Sequence, residues 1–286
     1  MPSPELRIIP TDQPPSIPAR LVDDFTPRLI DVGEHHLCPG CGEPVAMRTI
    51  LEAVEEVGAV DRSVCVVGVG CYTAFSNNLD VEVLQALHGR APSLATGLNR
   101  VHPGVLVFTV QGDGDLANEG LQEAIHAAAR GEAITLFMLN NGVFGETGGH
   151  MTTTTVLGQQ TKTSVGGRDA HLHGRPLRVA EMLAGIDGAA FVARGAVNNA
   201  GNVARTKRMV LRAFETQLAG AGFSFVEILT MCPTGWFIET EEAPDYIDGR
   251  LSPVHPLGIL RDELRDTEVA VAAAAEAAAD EPRPDA

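Results

Sequence analysis

The chain has 286 residues, of which 44% are apolar and 20% are charged, a balance typical of a folded globular protein. Its formal net charge of −16 disfavours nucleic acid or an anionic membrane surface as the main partner. No apolar run is long enough to span a membrane, and the start "MPSPELRIIP" lacks the basic-then-apolar order of a signal peptide. We therefore expect a cytoplasmic protein with no membrane-inserted part.

Alternating helical and strand patterns divide the chain into an arm, one domain and a tail. Residues 1–30 are rich in proline and predict an extended arm, residues 31–265 predict the domain, and residues 266–286, rich in alanine and acids, predict a mobile tail. In chain order the predicted elements are a helix over 43–57, strands over 64–70 and 105–110, a helix over 116–130, a strand over 134–139, a helix over 177–184, a strand over 189–197, a helix over 200–218 and a strand over 223–229.

The predicted strands are apolar at nearly every position, as in "VLVFTV" and "ITLFML". Such strands are covered on both faces, which indicates a mainly parallel, doubly wound α/β sheet flanked by helices. Sheets of this kind bind ligands beyond the carboxyl ends of their strands, so polar residues there are the first candidates for function.

The segment "TVQGDGDLANEG" (109–120) places two aspartates and three glycines directly after the strand over 105–110. The N-terminus of the following helix would offer free N–H groups to a phosphate, and Gly112 and Gly114 let the backbone approach an anion closely. A carboxylate beside a bound diphosphate needs a cation between them, so Asp113 indicates Mg²⁺ or Ca²⁺.

The next strand ends at Asn140-Asn141, 28 residues after Asp113. Because adjacent parallel strands bring their carboxyl ends together, Asn141 can supply a second oxygen ligand and the turn after it a carbonyl. The alternative is a simple turn at "GDGD" and a helix cap at "NN". The pattern matches neither the dinucleotide-binding GxGxxG nor the P-loop GxxxxGK[ST].

Five cysteines are too few and too scattered for a secreted disulfide framework. Cys38 and Cys41 form a C-x-x-C pair that alone is compatible with zinc, a redox disulfide or coincidence. Cys71 and Cys232 follow strands, and therefore lie at the same carboxyl edge of the sheet as the aspartate loop. Cys65 lies within an apolar strand, where a small buried thiol is the default.

Together these segments resemble the β, thiamine diphosphate-binding, subunit of 2-oxoacid:ferredoxin oxidoreductases. The resemblance covers roughly residues 30–260, and its details are most like the branched-chain, 2-oxoisovalerate type. It rests on "CPGCGEP" (38–44), "GVGCY" (68–72), "LHGRAPSLATG" (87–97), "GDGD…NNGVFGETGG" (112–149) and "CPTGW" (232–236).

The resemblance implies a role for each matching residue. It assigns Asp113, Asn141 and the carbonyl of Val143 to Mg²⁺, and Cys38, Cys41, Cys71 and Cys232 to a [4Fe–4S] cluster. The residues that would line thiamine diphosphate, with Gly145 to Thr147 above its reactive end, are Gly70, Cys71, His88, Gly112, Asp113, Gly114, Asp115, Asn141, Val143, Gly145 and Thr147. His88, Glu146 and Thr147 are the catalytic candidates.

The resemblance also implies an activity and partners. The reaction would be oxidative decarboxylation of a 2-oxo acid, with coenzyme A receiving the acyl group and ferredoxin the electrons. An α subunit would supply the glutamate that engages the aminopyrimidine, a ferredoxin-like cluster subunit would be a further partner, and the acidic charge favours a basic partner surface. The alternatives are 2-oxoglutarate or pyruvate as substrate, or a non-redox thiamine lyase or decarboxylase.

Two positions depart from the family pattern. Glu146 lies where a neutral residue is common, so we expect it to be protonated, turned away or paired with a partner's cation. Ala74 replaces a lysine that some relatives use to hold an acidic substrate, which favours an apolar 2-oxo acid.

Three further features have simpler readings beside the functional ones. His88 is followed by Gly-Arg and fits a helix cap as well as a ligand contact. His126 has the helical spacing of a packed core histidine. The hydroxyls of Thr152 to Thr155 fit a turn as well as contacts to phosphate or substrate.

Overall fold

The computed structural model describes residues 35–264, which build a seven-stranded sheet with helices on both faces. The arm predicted over residues 1–30 and the tail predicted over 266–286 lie outside the described residues. The division of the chain into arm, domain and tail therefore stays a prediction.

Six neighbouring strands of the sheet run parallel, and one edge strand is antiparallel to its neighbour. The strands are β1 (Ser63–Val67), β2 (Glu82–Gln85), β3 (Leu106–Gly112), β4 (Thr135–Asn140), β5 (Val143–Phe144), β6 (His150–Met151), β7 (Ala189–Ala196), β8 (Phe223–Leu229) and β9 (Gly258–Asp262). The sheet order is β2-β1-β3-β4-β8-β7-β9, with β9 antiparallel, while β5 and β6 pair separately as a short hairpin.

The helices are α1 (Glu43–Glu56), α2 (Ala91–Val101), α3 (Leu121–Ala129), α4 (Val179–Ala184), α5 (Ala200–Leu218), α6 (Pro233–Trp236) and α7 (Ala243–Tyr246). Tighter 3₁₀ turns occupy Val60–Arg62, Cys71–Asn78 and Thr240–Glu242, and wider π-helical turns occupy Gly114–Glu119 and Ile247–Leu251. Helices α1 and α5 cover one face of the sheet, and α2, α3 and α4 cover the other. This confirms the predicted doubly wound α/β fold.

Alternate side chains of each central strand enter opposite cores. Phe108 and Phe137 pack edge-to-face on Phe214 of α5, with ring centroids 5.5 Å and 5.4 Å apart. Their neighbours Val107 and Met138 face the helices on the other side. Both faces of the sheet are buried under helices, which explains why the sequences of these strands are continuous apolar runs.

The structure corrects several predicted boundaries. The helix predicted over 116–130 is interrupted at Gly120, where a side chain would collide with the backbone of Gly89. The strand predicted over 64–70 ends at Val67, and Cys71 begins a 3₁₀ turn. Helix α2 and strands β2 and β9 were not predicted. The two strands lie at the sheet edges, where β2 is largely exposed and lacks a continuous apolar run.

Candidate active site

The carboxyl ends of β3 and β4 bring Asp113 and Asn141 together at the centre of the sheet edge. The Asn141 backbone N–H donates to Asp113 Oδ1 at 3.3 Å, and the Thr154 hydroxyl donates to Asp113 Oδ2 at 2.6 Å. Asp113 is buried, with 1% of its surface exposed. The two oxygen donors named from the sequence are therefore neighbours, and both are fixed by hydrogen bonds.

The Asp113 carboxylate is costly to keep charged in this setting. Burial raises its pKa to about 6, although hydrogen bonds from Thr152 and Thr154 act in the opposite direction. In the described part of the chain no lysine, arginine or histidine forms an ion pair with it. A hard divalent cation would supply the missing positive charge, so the donor set fits Mg²⁺.

The turn after β4 is held on both sides. Gly142 adopts a φ of +71°, a left-handed conformation that glycine takes without strain, and its carbonyl accepts from the Thr155 hydroxyl at 2.6 Å. Asn141 Oδ1 accepts from the Val143 N–H at 3.0 Å, while the Trp236 indole donates to the Asn141 carbonyl at 2.7 Å. The amide oxygen of Asn141 is thus held in a defined position.

Asp115, two residues after Asp113, binds the surrounding loops together. Its carboxylate, 2% exposed, accepts from the Gly89 N–H at 2.8 Å, the Tyr72 hydroxyl at 3.0 Å and Gln111 Nε2 at 2.7 Å. It also contacts His88 Nδ1. Both oxygens are therefore engaged within the chain, and Asp115 orients the residues that line the site.

His88 stands at the rim of the site with its side chain 41% exposed. Its Nδ1 faces Asp115, and its ring lies edge-on to Phe144 with centroids 6.2 Å apart. The helix-cap reading of His88 is wrong, because the residue before α2 is Arg90 and no side chain caps that helix.

Three candidate glycines allow close packing of aromatic rings around the loops. A side chain at Gly114 would collide with the Phe144 ring, and one at Gly70 would lie 2.6 Å from the Tyr72 ring. A Cβ at Gly112 would lie 3.4 Å from Tyr72. Phe144 and Tyr72 thereby come close to the Asp113 loop.

Glu146 and Thr147 lie exposed in the connection between β5 and β6. Burial raises the pKa of Cys71, and so do the negative charge of Glu43 and a hydrogen bond from the Cys71 thiol to the Glu146 carboxylate. Thr147 Oγ1 lies 3.1 Å from His150 Nδ1. Glu146 is thus turned toward the cysteines.

The four candidate cluster cysteines come from three separate loops that meet beside the aspartate loop. The Gly42 N–H donates to the Met231 carbonyl at 2.9 Å, which ties the Cys38–Cys41 loop to the segment carrying Cys232. A Cβ at Gly145 would lie 3.2 Å from Cys71 Sγ and 3.8 Å from Cys232 Sγ. The absence of a side chain at Gly145 therefore leaves space between two of the thiols.

Burial and the charges of neighbouring groups raise the pKa values of three of these cysteines. Burial raises the pKa of Cys232, and together with negative charge at Glu43, Cys38 and Asp113 it brings that pKa to about 12. Burial also raises the pKa of Cys41, with contributions from Glu43, Cys232 and Cys38. Within residues 35–264, no three His, Cys, Asp or Glu side chains lie close enough to hold a single metal ion. In a [4Fe–4S] cluster, by contrast, each thiolate binds a different iron, so the sulfurs stand farther apart.

Glu43 is a site residue that the sequence analysis missed. It is 3% exposed, its Oε2 has no hydrogen-bond partner among the described residues, and burial together with the charges of Asp113 and Glu146 raises its pKa to about 8. The signal was its place inside "CPGCGEP", where it starts α1 directly after Cys41. Trp236 and Thr154 belong to sequence motifs, but their hydrogen bonds to Asn141 and Asp113 were not predicted.

Two remaining sequence expectations have clear outcomes. The buried thiol predicted at Cys65 is confirmed, since that residue is fully buried in β1. The packed-core reading of His126 is wrong, because its side chain lies on the exposed face of α3.

The fold and the aspartate loop together define a cofactor-binding domain of thiamine-dependent enzymes. Residues 68–228, which include the aspartate loop and the Asn141 turn, match the family model "Thiamine pyrophosphate enzyme, C-terminal TPP binding domain". The match begins just before Cys71 and ends in β8. Thiamine diphosphate is therefore the cofactor class of this domain.

Two relatives narrow the family to which the chain belongs. The chain is 39% identical over 82% of its length to the ketoisovalerate oxidoreductase subunit VorA of Methanothermobacter marburgensis, of which it spans 49%. It is 32% identical to the 2-oxoglutarate synthase subunit KorB of Archaeoglobus fulgidus, with 82% of each chain covered. The chain belongs to the family of thiamine diphosphate-binding subunits of 2-oxoacid:ferredoxin oxidoreductases.

A solved structure shares the fold. A 2-oxoglutarate:ferredoxin oxidoreductase from Magnetococcus marinus, solved with 2-oxoglutarate, coenzyme A and succinyl-CoA, aligns with a TM-score of 0.66 at 22% identity, covering 84% of this chain and 86% of that one. Among the helices of residues 35–264, none combines the length and the apolar character needed to cross a membrane.

Proposed function

We propose that the chain is the β subunit of a 2-oxoacid:ferredoxin oxidoreductase acting on a branched-chain 2-oxo acid. The net reaction converts a 2-oxo acid anion and coenzyme A into an acyl-CoA thioester and CO₂, with release of one proton and two electrons. An iron–sulfur cluster held by this chain would supply single-electron chemistry, with ferredoxin as the proposed acceptor.

One observation carries this proposal: the oxygen donors and the cysteines converge on the same short loop. Asn141 precedes Val143 in the turn after β4, and two residues after Val143, Gly145 lies between Cys71 and Cys232. A decarboxylation site and an electron acceptor would then be neighbours, which electron transfer in single steps requires.

In this proposal Asp113, Asn141 and the Val143 carbonyl would hold Mg²⁺, which would supply positive charge to the diphosphate. Thiamine diphosphate, when bound, supplies the electron sink for decarboxylation. Asp115 holds His88 at the rim and also binds the buried Tyr72, so His88 would present a pre-set surface to cofactor and substrate. Gly70, Gly112 and Gly114 keep the surrounding aromatic rings and backbone close to the cofactor.

Cys38, Cys41, Cys71 and Cys232 are the proposed cluster ligands. Their thiols have to lose protons to bind iron, and the raised pKa values of Cys41, Cys71 and Cys232 mean that iron binding competes directly with protons. Cluster assembly on free thiols fits the cytoplasmic location expected from the sequence, where cysteines stay reduced.

The substrate assignment rests on position 74 and on the relatives. Ala74, in the turn that begins at Cys71, offers no positive charge for a second carboxylate. The identity of 39% to a ketoisovalerate relative exceeds the 32% to a 2-oxoglutarate relative. Both observations favour a branched-chain 2-oxo acid such as 2-oxoisovalerate over 2-oxoglutarate or pyruvate.

The proposed partners complete the site. An α subunit would supply the glutamate for the aminopyrimidine, a ferredoxin-like subunit would carry further clusters, and ferredoxin would accept the electrons. Leu87, next to His88, is 81% exposed, and an apolar side chain at the rim suits a covering partner surface.

The test is anaerobic purification of the chain with its proposed α subunit, followed by iron and sulfide assays and visible spectra. We expect about four irons and four sulfides per copy of this chain, after subtraction of partner clusters. The cluster absorbance should bleach when 2-oxoisovalerate and coenzyme A are added together, and less with 2-oxoglutarate.

Each alternative gives a different result. Zinc in place of iron, or carboligated products without bleaching, would leave a non-redox thiamine lyase or decarboxylase. Full bleaching by 2-oxoglutarate or pyruvate at lower concentrations than by 2-oxoisovalerate would keep the reaction class and overturn the substrate.

A further inference from the structure

Strand β8 carries one charged residue in the middle of an otherwise apolar stretch. Glu227 is fully buried and pairs with Arg194 of the neighbouring strand β7, which is also fully buried. Arg194 Nε lies 2.9 Å from Glu227 Oε2, and Arg194 Nη2 lies 2.6 Å from Glu181 Oε2. None of these three residues belongs to the candidate site described above.

A buried ion pair such as Arg194–Glu227 contributes little to the stability of a sheet. Removing two charges from water costs several kcal/mol per ion, and apolar replacements of similar size are often neutral or stabilising. The neighbouring positions of β8 are filled by phenylalanine, valine and isoleucine, so the sheet accepts apolar side chains here. The pair therefore calls for a role beyond packing.

From Glu227 one chain of contacts leads to the Asn141 turn. Glu227 Oε1 accepts from Asn140 Nδ2 at 2.7 Å. Asn140 Oδ1 in turn accepts from the Gly142 N–H at 3.0 Å. Both side-chain ends of Asn140 are thus used, one on the buried carboxylate and one on the turn that presents Asn141.

From Arg194 a second chain of contacts leads to Asp113. Arg194 Nη1 donates to the Pro256 carbonyl at 3.0 Å, which fixes the segment carrying His255. Burial lowers the pKa of His255, and its Nε2–H donates to the Thr154 carbonyl at 3.1 Å. The Thr154 hydroxyl is the donor to Asp113 Oδ2.

We infer that the buried Arg194–Glu227 pair is a positioning element that sets both protein side chains of the diphosphate metal site. Glu227 orients Asn141 through Asn140, and Arg194 orients Asp113 through His255 and Thr154. The inference rests on the proposed function in that it takes Asp113 and Asn141 as the metal ligands. Residues that orient metal ligands typically change metal affinity by about 10- to 100-fold when replaced.

The experiment measures metal binding directly on the purified complex. Mn²⁺ replaces Mg²⁺, thiamine diphosphate is saturating, the cluster is kept oxidised, and the loss of the free Mn²⁺ electron paramagnetic resonance signal gives Kd. The Arg194→Met/Glu227→Met double variant removes both fully buried charges together, and it leaves Glu181, whose side chain is 31% exposed, with Arg178 as its ion partner. We expect its Kd for Mn²⁺ to rise about 10- to 100-fold, with kcat restored at high Mg²⁺.

The matched control is Glu181→Gln, which removes the other carboxylate that Arg194 contacts but leaves the Asn140 bond in place. It should bind Mn²⁺ as the unmodified protein does. A folded double variant with an unchanged Kd would overturn the inference.

If the double variant does not fold, two variants of His255 test the inference instead. We expect weaker Mn²⁺ binding for His255→Leu and near-normal binding for His255→Gln, whose amide can still donate to Thr154. Equal, unweakened binding by both would overturn the inference.

The same titration separates this inference from the proposed function. Asp113→Asn serves as the reference for a missing metal ligand. Failure of the unmodified protein to bind Mn²⁺ in a thiamine diphosphate-dependent manner would sink the metal site itself. Normal binding by the unmodified protein and equally by the Arg194, Glu227 and His255 variants would remove only the positioning role.

Discussion

The candidate active site has two ends that are held in different ways. At the metal end, formed by Asp113, Asn141 and Thr154, side chains are buried and hydrogen-bonded to each other or to the backbone. At the cysteine end, formed by Cys38, Cys41, Cys71 and Cys232, the loops are joined through backbone contacts and Cys38 is exposed. Folding alone thus defines the metal end, whereas at the cysteine end the thiols would still have to give up protons to bind the proposed cluster.

The largest expected effect breaks the cysteine end alone. Cys38→Ser removes one proposed cluster ligand at an exposed position, so we expect iron to fall from about four per chain to near zero. Thiamine diphosphate-dependent Mn²⁺ binding should persist, because no contact of Asp113 or Asn141 involves Cys38. Iron and sulfide assays beside the Mn²⁺ titration check both statements.

The control for this variant is Cys65→Ala, which changes the same residue type inside β1. It should keep its iron and lose only a modest amount of stability from a small cavity. Loss of iron in Cys65→Ala with retention in Cys38→Ser would reverse the assignment of the ligands.

The second prediction breaks the metal end alone. Asp113→Asn should weaken Mn²⁺ binding by more than about 100-fold, since a ligand is lost rather than a residue that orients one. The unfolding midpoint should hold or rise at pH 7.5, because a pKa of about 6 marks a carboxylate that is costly to keep charged when buried. Iron content should not change, and a parallel loss of iron would show that the two ends fold as one unit.

The metal end was largely predictable from the sequence. Asp113 and Asn141 each follow an apolar strand, and parallel strands place their carboxyl ends at one edge, so spacing alone predicted that they meet. The cysteine end needed the family resemblance, since C-x-x-C by itself left zinc and redox readings open. The residues that hold the site, such as Glu227 and His255, lie 114 and 142 positions beyond Asp113 in the printed sequence. Contacts at that separation are set by the three-dimensional packing of β4, β7 and β8.

The buried charge at Glu227 could have been predicted from the sequence. An acid in the middle of an apolar strand has to find a buried partner, and "FSFVEIL" shows such an acid at Glu227. The edge strands were missed because they lack a continuous apolar run. In β2, for example, most positions are exposed. Patterns of burial therefore predicted the central strands better than the edges.

A third prediction concerns Glu43, which lies between the two ends. Its pKa of about 8 in the folded chain, against an ordinary value near 4.5, means that the folded state holds a proton that the unfolded state releases. Stability should therefore fall as pH rises from about 5 to 8, by roughly 3 to 4 kcal/mol from this group. Glu43→Gln should flatten the pH dependence, which anaerobic thermal unfolding at several pH values would measure.

Glu132 provides the control for Glu43. It is also buried but pairs with Arg100 and Arg130, and these partners lower its pKa. Glu132→Gln should therefore cost stability at neutral pH, with no gain as pH rises. A steeper loss of stability with pH in Glu43→Gln than in the unmodified protein would contradict the assignment of the raised pKa.

The smallest expected effect sharpens how the metal end is built. Thr154→Val keeps the side-chain shape but removes the hydroxyl that donates to Asp113 Oδ2, whereas Thr153→Val removes a hydroxyl that contacts only Asn118. We expect Mn²⁺ affinity to fall about tenfold in the first variant and to stay unchanged in the second. With one donor fewer, the Asp113 carboxylate is held less firmly and keeps its proton to higher pH, so the defect should shrink as pH is raised from 6 to 8. If Mn²⁺ affinity falls by the same factor at both pH values, Thr154 orients Asp113 without changing its protonation. If Thr153→Val loses as much Mn²⁺ affinity as Thr154→Val, the effect belongs to the threonine turn as a whole.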